Sequence, residues 1–365
     1  MKMNIQAPLH IRKLTPYVPG KPVQEVEREL GLANTVKMAS NENPFGPSPK
    51  ALEAARGFLD NVHIYPEGSG FYLCQALSRH YKVEQDRVIL GNGSVELIEI
   101  AAKALLVPGA NVVMSEGSFT MYRIATLAMN AEAREIPMAK RTHDLKAMAR
   151  AVDANTKMVL VANPNNPTGT YNSMGEVERL LQEVPDDVLV IIDEAYKEFV
   201  TEPDYGSANA LLEAHPNLLV LGTFAKAYGL AGLRVGYGFG HPELLAILHK
   251  ARSPFNTSSI AQVAAIAALE DGEFVRKVVD FNAKEMKRVC AELKKMGFSY
   301  TPSVTNFLLV DVPMASSDCY RKLLMEGVII RPMEGWGFPN SIRVTLYTRE
   351  GNDRFLAALS KVAAR

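Results

Sequence analysis

Apolar runs alternate with helical patterns along the first two thirds of the chain. Runs rich in Val, Leu and Ile cover residues 87–90, 111–114, 157–162, 188–192, 218–222 and 234–240. Such nearly continuous runs are typical of strands buried on both faces. Helical patterns lie between most of them, at residues 95–106, 121–129, 145–151 and 175–182. The alternation predicts an α/β fold whose large domain is a mostly parallel sheet sandwiched by helices.

The pattern changes after residue 240, where a helical stretch runs to about residue 270. A long helix (273–296) follows, and then strands at 306–310, 328–331 and 341–346 with helices at 316–326 and 351–362. This mixture predicts a smaller α+β domain. The first 40 or so residues are rich in Pro and Gly and contain no core unit. We therefore expect an arm packing with the small domain (1–45), a large domain (46–272) and a small C-terminal domain (273–365).

Composition narrows the class of protein. The 365 residues carry 40 basic and 40 acidic side chains, so no global field attracts nucleic acid or an anionic membrane. The first ten residues lack the apolar core of a signal peptide, and no run of about 20 apolar residues occurs. Three scattered cysteines show neither a metal-binding spacing nor a disulfide framework. We expect a cytoplasmic enzyme without a metal, with neither a membrane nor a nucleic acid as partner.

Reactive side chains follow the predicted strands. The turn 91–94, the turn 163–169, Asp193 and Lys226 each come directly after one. In open parallel sheets the carboxyl ends of the strands form the ligand crevice. Lys226 is either a solvated surface lysine or an amine that bonds covalently to a carbonyl ligand. The apolar strand before it and the small residues after it favour the second interpretation, because a planar ligand could approach the backbone there.

The residues around Lys226 suit one cofactor, pyridoxal 5'-phosphate (PLP). Arg234 can bind phosphate oxygens in a bidentate manner, or it forms an ion pair at a strand edge. Asp193 can pair with a pyridinium nitrogen, or it caps a helix. The amides of Ser94 and Val95 at a helix start and the hydroxyl of Thr223 can add to the phosphate site. The amide of Asn166 and the phenol of Tyr196 can bind the ring oxygen. Phe119 can stack on the cofactor ring.

Two arginines stand on predicted strands of the small domain. Arg331 ends one strand and Arg343 lies in the next. They form either an anion pocket for the substrate or surface pairs with carboxylates, and composition alone does not decide between these.

Together these residues resemble the aspartate-aminotransferase superfamily of PLP enzymes, with the PLP-dependent transferase fold. The resemblance rests on the Asn-Pro-Thr-Gly turn ending at Gly169, on Asp193 with Tyr196 three residues later, and on Lys226 with Arg234 eight residues later. Within that superfamily the chain is similar to the histidinol-phosphate aminotransferase subfamily over nearly its whole length. The segments that carry this second likeness are 16–22, 40–46, 65–71, 91–94, 328–332 and 342–345.

The resemblance implies roles for individual residues. Lys226 would hold the cofactor and move the substrate proton, while Asp193 would face the pyridine nitrogen. It implies a homodimer in which Tyr65 reaches the phosphate of the partner's cofactor. Arg343 would hold the glutamate carboxylate, and the histidinol phosphate end would be held by Tyr17, Arg331 and Arg343. The implied reaction exchanges histidinol phosphate and 2-oxoglutarate for imidazole acetol phosphate and glutamate.

The chain departs from the family pattern at three positions. Ala225 replaces a usual serine, which predicts one phosphate contact fewer and weaker retention of the cofactor. Val95 replaces a frequent acidic residue but keeps its backbone N–H. Tyr347 stands where relatives show a small residue, and we expect its phenol near the Arg343 pocket, where it would alter the substrate range.

Three alternatives remain open at this level. One is an aromatic amino-acid aminotransferase. Another is a PLP decarboxylase of a phosphorylated amino acid on the same fold, because sequence does not show which substrate bond stands perpendicular to the ring. The third, a PLP-binding regulatory module, is disfavoured by the neutral charge and by the lack of a helix-turn-helix pattern before Pro16.

Overall fold

A seven-stranded sheet forms the centre of the large domain in the computed structural model, which describes residues 5–363. Its strand order is β2-β8-β7-β6-β5-β3-β4. The strands of the described chain are Val36–Lys37 (β1), Val88–Gly91 (β2), Asn111–Ser115 (β3), Glu132–Ile136 (β4), Thr156–Ala162 (β5), Leu189–Asp193 (β6), Leu218–Thr223 (β7), Gly236–Gly240 (β8), Tyr300–Thr301 (β9), Phe307–Asp311 (β10), Val328–Ile329 (β11), Arg331–Pro332 (β12) and Ser341–Thr345 (β13).

The central sheet is parallel except at β8, which runs antiparallel to both of its neighbours. Strands β2, β3, β5, β6 and β7 are buried along nearly all their length, as their apolar runs predict. Two hydrophobic clusters fill the two faces of the sheet, so it is sandwiched between helices as expected. The prediction of a mostly parallel α/β fold is confirmed.

The helices cover both faces of the central sheet and one side of the small domain. None of the helices in residues 5–363 combines the length and apolar character needed to cross a membrane. Their bounds are Leu9–Arg12 (α1), Val23–Leu30 (α2), Pro49–Gly57 (α3), Phe71–Tyr81 (α4), Ser94–Leu105 (α5), Thr120–Ala128 (α6), Leu145–Arg150 (α7), Met174–Glu183 (α8), Pro242–His249 (α9), Ser259–Leu269 (α10), Gly272–Lys295 (α11), Ser316–Met325 (α12) and Arg349–Ala363 (α13).

The C-terminal part is built on an antiparallel sheet of order β12-β13-β10-β9. A hydrophobic cluster joins this sheet to α11, α12 and α13. Arg331 and Arg343 are register partners on the neighbouring strands β12 and β13. This part therefore places two guanidinium groups side by side at its edge.

The N-terminal segment packs on the same part of the molecule. Strand β1 pairs in parallel with β11, and Val26 of α2 packs with Ala39 and Ile329. Its first four residues lie outside the described range. The segment thus brings Tyr17 and Ser40 towards the cleft, while the residue bounds of the three domains remain a prediction.

Several sequence-based boundaries are wrong. The helical stretch from 240 to about 270 is two helices, α9 and α10, separated by a segment in which Phe255 has a left-handed φ of 55°. The predicted strand 328–331 is two short strands, β11 and β12, which pair with different partners. Strand β8 begins at Gly236, because Arg234 adopts a left-handed φ of 55° at the end of a 3-10 turn.

Candidate active site

The carboxyl ends of the central strands open into a cleft of about 190 Å³ between the two sheets. It is lined by every predicted site residue except Tyr65 and Arg331. The predicted residues that line it are Tyr17, Ser94, Val95, Phe119, Asn166, Asp193, Tyr196, Thr223, Lys226, Arg234 and Arg343. Residues distant in sequence thus converge on one concave site, as expected for an enzyme of this architecture.

Lys226 follows β7 and enters this cleft. Its Nζ lies 3.4 Å from the carbonyl oxygen of Ser40 and 5.5 Å from the centre of the Tyr196 ring. The lysine is therefore not a solvated surface residue. It faces the N-terminal segment across the cleft, where its amine can meet a carbonyl ligand.

Asp193 ends β6 as a buried carboxylate. Tyr122 donates a hydrogen bond to its Oδ2 at 3.0 Å, and the backbone N–H of Ala195 donates to its Oδ1 at 3.2 Å. Burial raises the pKa of Asp193 from its usual 3.8 to about 6, although these two bonds and the charge of Lys226 oppose the rise. A buried carboxylate that forms no ion pair in the described chain is the arrangement a cationic ligand atom would stabilise.

The guanidinium of Arg234 lies close to the start of α5. Gly93 precedes the helix with φ of 75°, and a Cβ on it would lie 2.6 Å from Nη2 of Arg234. The guanidinium of Arg234 is therefore held against the turn that presents the amides of Ser94 and Val95. Thr223 adds a hydroxyl to the same wall of the cleft. Helix amides and a guanidinium together suit a phosphate group.

Arg343 is a buried cation that lines the same cleft. It donates hydrogen bonds to Oδ1 of Asn166 and to the carbonyl oxygen of Ala39, while its Nε has no partner. Burial lowers the pKa of Arg343. Since none of its contacts in the described chain is a carboxylate, the group is available for an anionic ligand.

Arg331 stands next to Arg343 rather than in the cleft itself. Its guanidinium lies between two aromatic rings, 5.1 Å from the centre of Tyr17 and 4.8 Å from that of Trp336. It also donates to the carbonyl oxygen of Val18. Neither Arg331 nor Arg343 forms an ion pair within residues 5–363, so surface pairing with carboxylates is the wrong interpretation. Two adjacent unpaired cations favour an anion pocket.

The structure places two of the three positions that depart from the family pattern in the cleft and the third outside it. Ala225 and Val95 line the cleft at the anion site, where Ala225 offers no hydroxyl. Tyr347 packs in the small-domain core, and its Cδ1 would lie 2.6 Å from a Cβ on Gly351. Tyr347 therefore does not line the cleft with Arg343, and the expectation that its phenol lies near the Arg343 pocket is wrong.

Tyr65 lies outside the cleft of its own chain. Its side chain is 79% exposed and stacks on Phe255 with the ring centres 4.8 Å apart. Its predicted role requires a second subunit.

Sequence reasoning gave no role to two cleft residues whose side chains form hydrogen bonds with predicted site residues. Tyr122 lies one helical turn after Phe119, close enough for the two rings to meet edge-on at 5.7 Å, and this i, i+3 spacing could have indicated it. Asn41 lines the cleft and donates a hydrogen bond to the hydroxyl of Tyr196 at 2.8 Å. It belongs to the noted segment 40–46, but nothing in the sequence pairs it with Tyr196, 155 residues away.

The chain is similar to known proteins in both sequence and fold. The family model "Aminotransferase class I and II" matches residues 33–359. The chain is 48% identical to histidinol-phosphate aminotransferase 2 of Pseudomonas fluorescens, over 97% of this chain and 96% of that one. It is 44% identical to histidinol-phosphate aminotransferase of Brevibacillus brevis, over 95% of each. Its fold matches the crystal structure of histidinol-phosphate aminotransferase from Sinorhizobium meliloti in complex with pyridoxal-5'-phosphate, with a TM-score of 0.90, 29% identity and coverage of 98% and 97%.

Proposed function

The chain belongs to the class I and II aminotransferases, and we propose that it transfers the amino group of histidinol phosphate to 2-oxoglutarate with PLP as cofactor. The products are imidazole acetol phosphate and glutamate, a reaction of histidine biosynthesis. The observation that carries the proposal is a pair of arginines without ionic partners in the described chain: Arg343 lines the cleft that contains Lys226 and Asp193, and Arg331 lies beside Arg343.

The chain's own residues fit PLP. Asp193 is buried without a cationic partner in contact, and a protonated ring nitrogen would supply one. The turn at Gly93 and the guanidinium of Arg234 form an anion site for the phosphate. Phe119 and Ala195 line the same cleft, and the aromatic ring of Phe119 would stack on the flat ring of the cofactor. When bound, PLP supplies an electron-accepting ring that makes removal of a proton from the substrate carbon easier.

Each of these residues has a proposed task. Lys226 would hold the cofactor covalently, and its free amine would take and return the proton at the substrate carbon. Asp193 keeps the ring nitrogen protonated. Tyr196 and Asn166 donate hydrogen bonds to the ring oxygen, and the Nδ2 of Asn166 makes no other hydrogen bond in the described chain. Ser94, Val95, Thr223 and Arg234 hold the phosphate.

The two arginines explain the choice of substrate. A phosphate monoester carries more charge than a carboxylate and can bind Arg331 and Arg343 together, with Tyr17 beside them. The single carboxylate of phenylalanine or tyrosine uses only Arg343. A purely aromatic aminotransferase would have no use for Arg331, held between Tyr17 and Trp336.

We further propose that the enzyme is a cytoplasmic homodimer in which Tyr65 reaches the phosphate of the cofactor bound by the partner subunit. The number of large apolar side chains exposed near Tyr65 in the sequence supports the dimer, since an interface would cover them. Those exposed between residues 52 and 72 are Leu52, Leu59, Val62, Ile64, Phe71 and Tyr72, and the exposed Phe255 stacks on Tyr65 itself.

The proposal is tested by measuring kcat/KM for a panel of amino donors with 2-oxoglutarate. Histidinol phosphate is expected to be the best donor, with phenylalanine and tyrosine far slower. Higher rates with the aromatic amino acids would instead assign an aromatic aminotransferase. Release of carbon dioxide from a phosphorylated amino acid would assign a decarboxylase.

A variant pair locates the source of this specificity. Arg331→Gln should lower kcat/KM for histidinol phosphate by roughly 10- to 100-fold, the effect of losing one charged hydrogen bond. The slow reaction with phenylalanine should be unchanged, whereas Arg343→Ala should impair both donors. If Arg331→Gln impaired both donors equally, Arg331 would not distinguish the phosphate.

A further inference from the structure

A short chain of hydrogen bonds leads from the small domain to Tyr196. The backbone N–H of Asn41 donates to Oγ1 of Thr345 at 2.9 Å, and the same Oγ1 lies 3.0 Å from Oδ1 of Asn41. Nδ2 of Asn41 lies 2.8 Å from the hydroxyl of Tyr196. Asn41 and Thr345 are each about 1% exposed, so water does not compete for these groups.

The direction of each bond follows from the number of donors available. The Thr345 hydroxyl accepts from the Asn41 backbone, and its own hydrogen needs an acceptor, which is Oδ1 of Asn41. The amide of Asn41 is therefore oriented with Nδ2 towards Tyr196. Because the Tyr196 oxygen accepts from Nδ2, its own O–H cannot point at Asn41. No other group in the described chain bonds to that hydroxyl, so its hydrogen points into the cleft.

The surrounding backbone stabilises this relay, the chain of hydrogen bonds from Thr345 through Asn41 to Tyr196. Asn41 has a left-handed φ of 56°, which asparagine tolerates better than most residues. Nδ2 of Asn306 also donates to the Asn41 carbonyl oxygen at 3.1 Å. Thr345 lies two residues after Arg343, on the same face of β13. The strand that carries a substrate-binding cation therefore also carries the first group of the relay.

We propose that Thr345 is a positioning residue: it holds the Asn41 amide with Nδ2 towards Tyr196, so that the Tyr196 hydroxyl donates to the ring oxygen of the cofactor and not to Asn41. The inference rests on the proposed function, which places Tyr196 at that oxygen. A donated hydrogen bond stabilises negative charge on the ring oxygen and so favours the less protonated form of the bound cofactor. Loss of the donation should raise the pH midpoint at which the cofactor's visible absorbance changes.

Thr345→Val tests the relay by removing one hydroxyl at nearly constant volume. Oδ1 of Asn41 then lacks a donor, so the amide can turn and accept from Tyr196, which would no longer donate into the cleft. The midpoint of the holoenzyme is expected to rise by roughly one pH unit, as in Tyr196→Phe. Thr345→Ser keeps the hydroxyl and should retain the wild-type midpoint.

Asn41→Gly separates positioning from a merely structural role. Glycine suits the left-handed φ and leaves Tyr196 with no competing acceptor. The pH midpoint of Asn41→Gly should therefore stay near wild type, also when Thr345→Val is added. A merely structural role predicts a larger rise in midpoint for Asn41→Gly than for Thr345→Val, because Asn41→Gly removes more contacts. That order, or an unchanged midpoint in Thr345→Val when Tyr196→Phe shifts it, would overturn the relay. An unchanged midpoint in Tyr196→Phe would instead remove Tyr196 from the cofactor and the relay with it.

Discussion

Buried charges without ionic partners are the most informative single residues of this protein. Asp193, Arg343 and Arg331 are all buried, and none of them forms an ion pair in the described chain. Such groups destabilise a fold unless a ligand compensates them. Asp193 and Arg343 both line one cleft, which therefore offers an unpaired carboxylate to a cationic ligand atom and an unpaired guanidinium to an anionic one.

Asp193 gives a prediction about pH. Its pKa is raised to about 6 in the folded protein, so its contribution to stability is present below pH 4 and is lost as the pH rises through 6. Asp193→Asn should therefore stabilise the cofactor-free protein at pH 8 by roughly 1 to 3 kcal/mol. Thermal unfolding at pH 8 and at the lowest pH that preserves the fold measures this.

The gain should shrink as the pH falls, and the same variant should bind PLP more weakly. If Asp193→Asn stabilised the protein equally at every pH, burial of the ionised Asp193 carboxylate would not be the source of the gain. Glu243→Gln, at an exposed helix start, serves as a control for the loss of one carboxylate.

The sequence predicts strands and helices well where a run of buried apolar residues alone identifies the element. The runs leading to Asp193 and Lys226 are apolar throughout, and the structure places strands there within two residues of the predicted bounds. Strand β4 was missed because Glu132 and Glu135 give an edge strand a polar pattern. The division between β11 and β12 was missed because it depends on β1, nearly 300 residues away in sequence.

The turn before α5 gives a prediction about a single methyl group. Gly93 has a positive φ, and a Cβ there would meet the guanidinium of Arg234. Gly93→Ala should therefore displace Arg234 and weaken PLP binding by roughly 10-fold or more, since a charged hydrogen bond is at stake. Titration of the cofactor-free protein with PLP, followed by absorbance, measures the change.

Gly109→Ala is the matched control. That glycine also has a positive φ, but no atom lies within 4 Å of its Cβ position. It should reproduce the backbone strain without the loss of affinity. Equal losses in both variants would assign the effect to strain rather than to Arg234.

The arrangement of the domains explains what the sequence could not predict. The motifs after the strands indicated most of the cleft, because strand ends meet at one edge of a sheet. The contact of Asn41 with Thr345 spans 304 residues, and the hydrogen bond from Arg343 to Ala39 spans the same distance. Such contacts depend on how the N-terminal segment packs on the small domain. No local pattern encodes that packing.

The proposed homodimer predicts complementation between two impaired subunits. Lys226→Ala and Tyr65→Ala should each be nearly inactive alone. In a mixed dimer the Tyr65→Ala chain keeps Lys226 and receives Tyr65 from its partner, so one complete site returns. Random mixing should restore about a quarter of the wild-type activity, since half the dimers are mixed and each has one complete site of two.

Mixing Lys226→Ala with Asp193→Ala is the control, because both residues are proposed to act within one chain. That mixture should stay inactive. Recovery in neither mixture, with mixed dimers shown to form, would place Tyr65 outside the partner's site.

The attachment of the cofactor to Lys226 is tested most directly by borohydride reduction of the PLP-loaded enzyme, followed by digestion and mass spectrometry. Reduction makes the bond between a lysine amine and the cofactor permanent. We predict that the added pyridoxyl mass is found on the peptide containing Lys226 and that Lys226→Ala does not take it up. Stoichiometric labelling of a different lysine, or no labelling of the enzyme at all, would contradict the account.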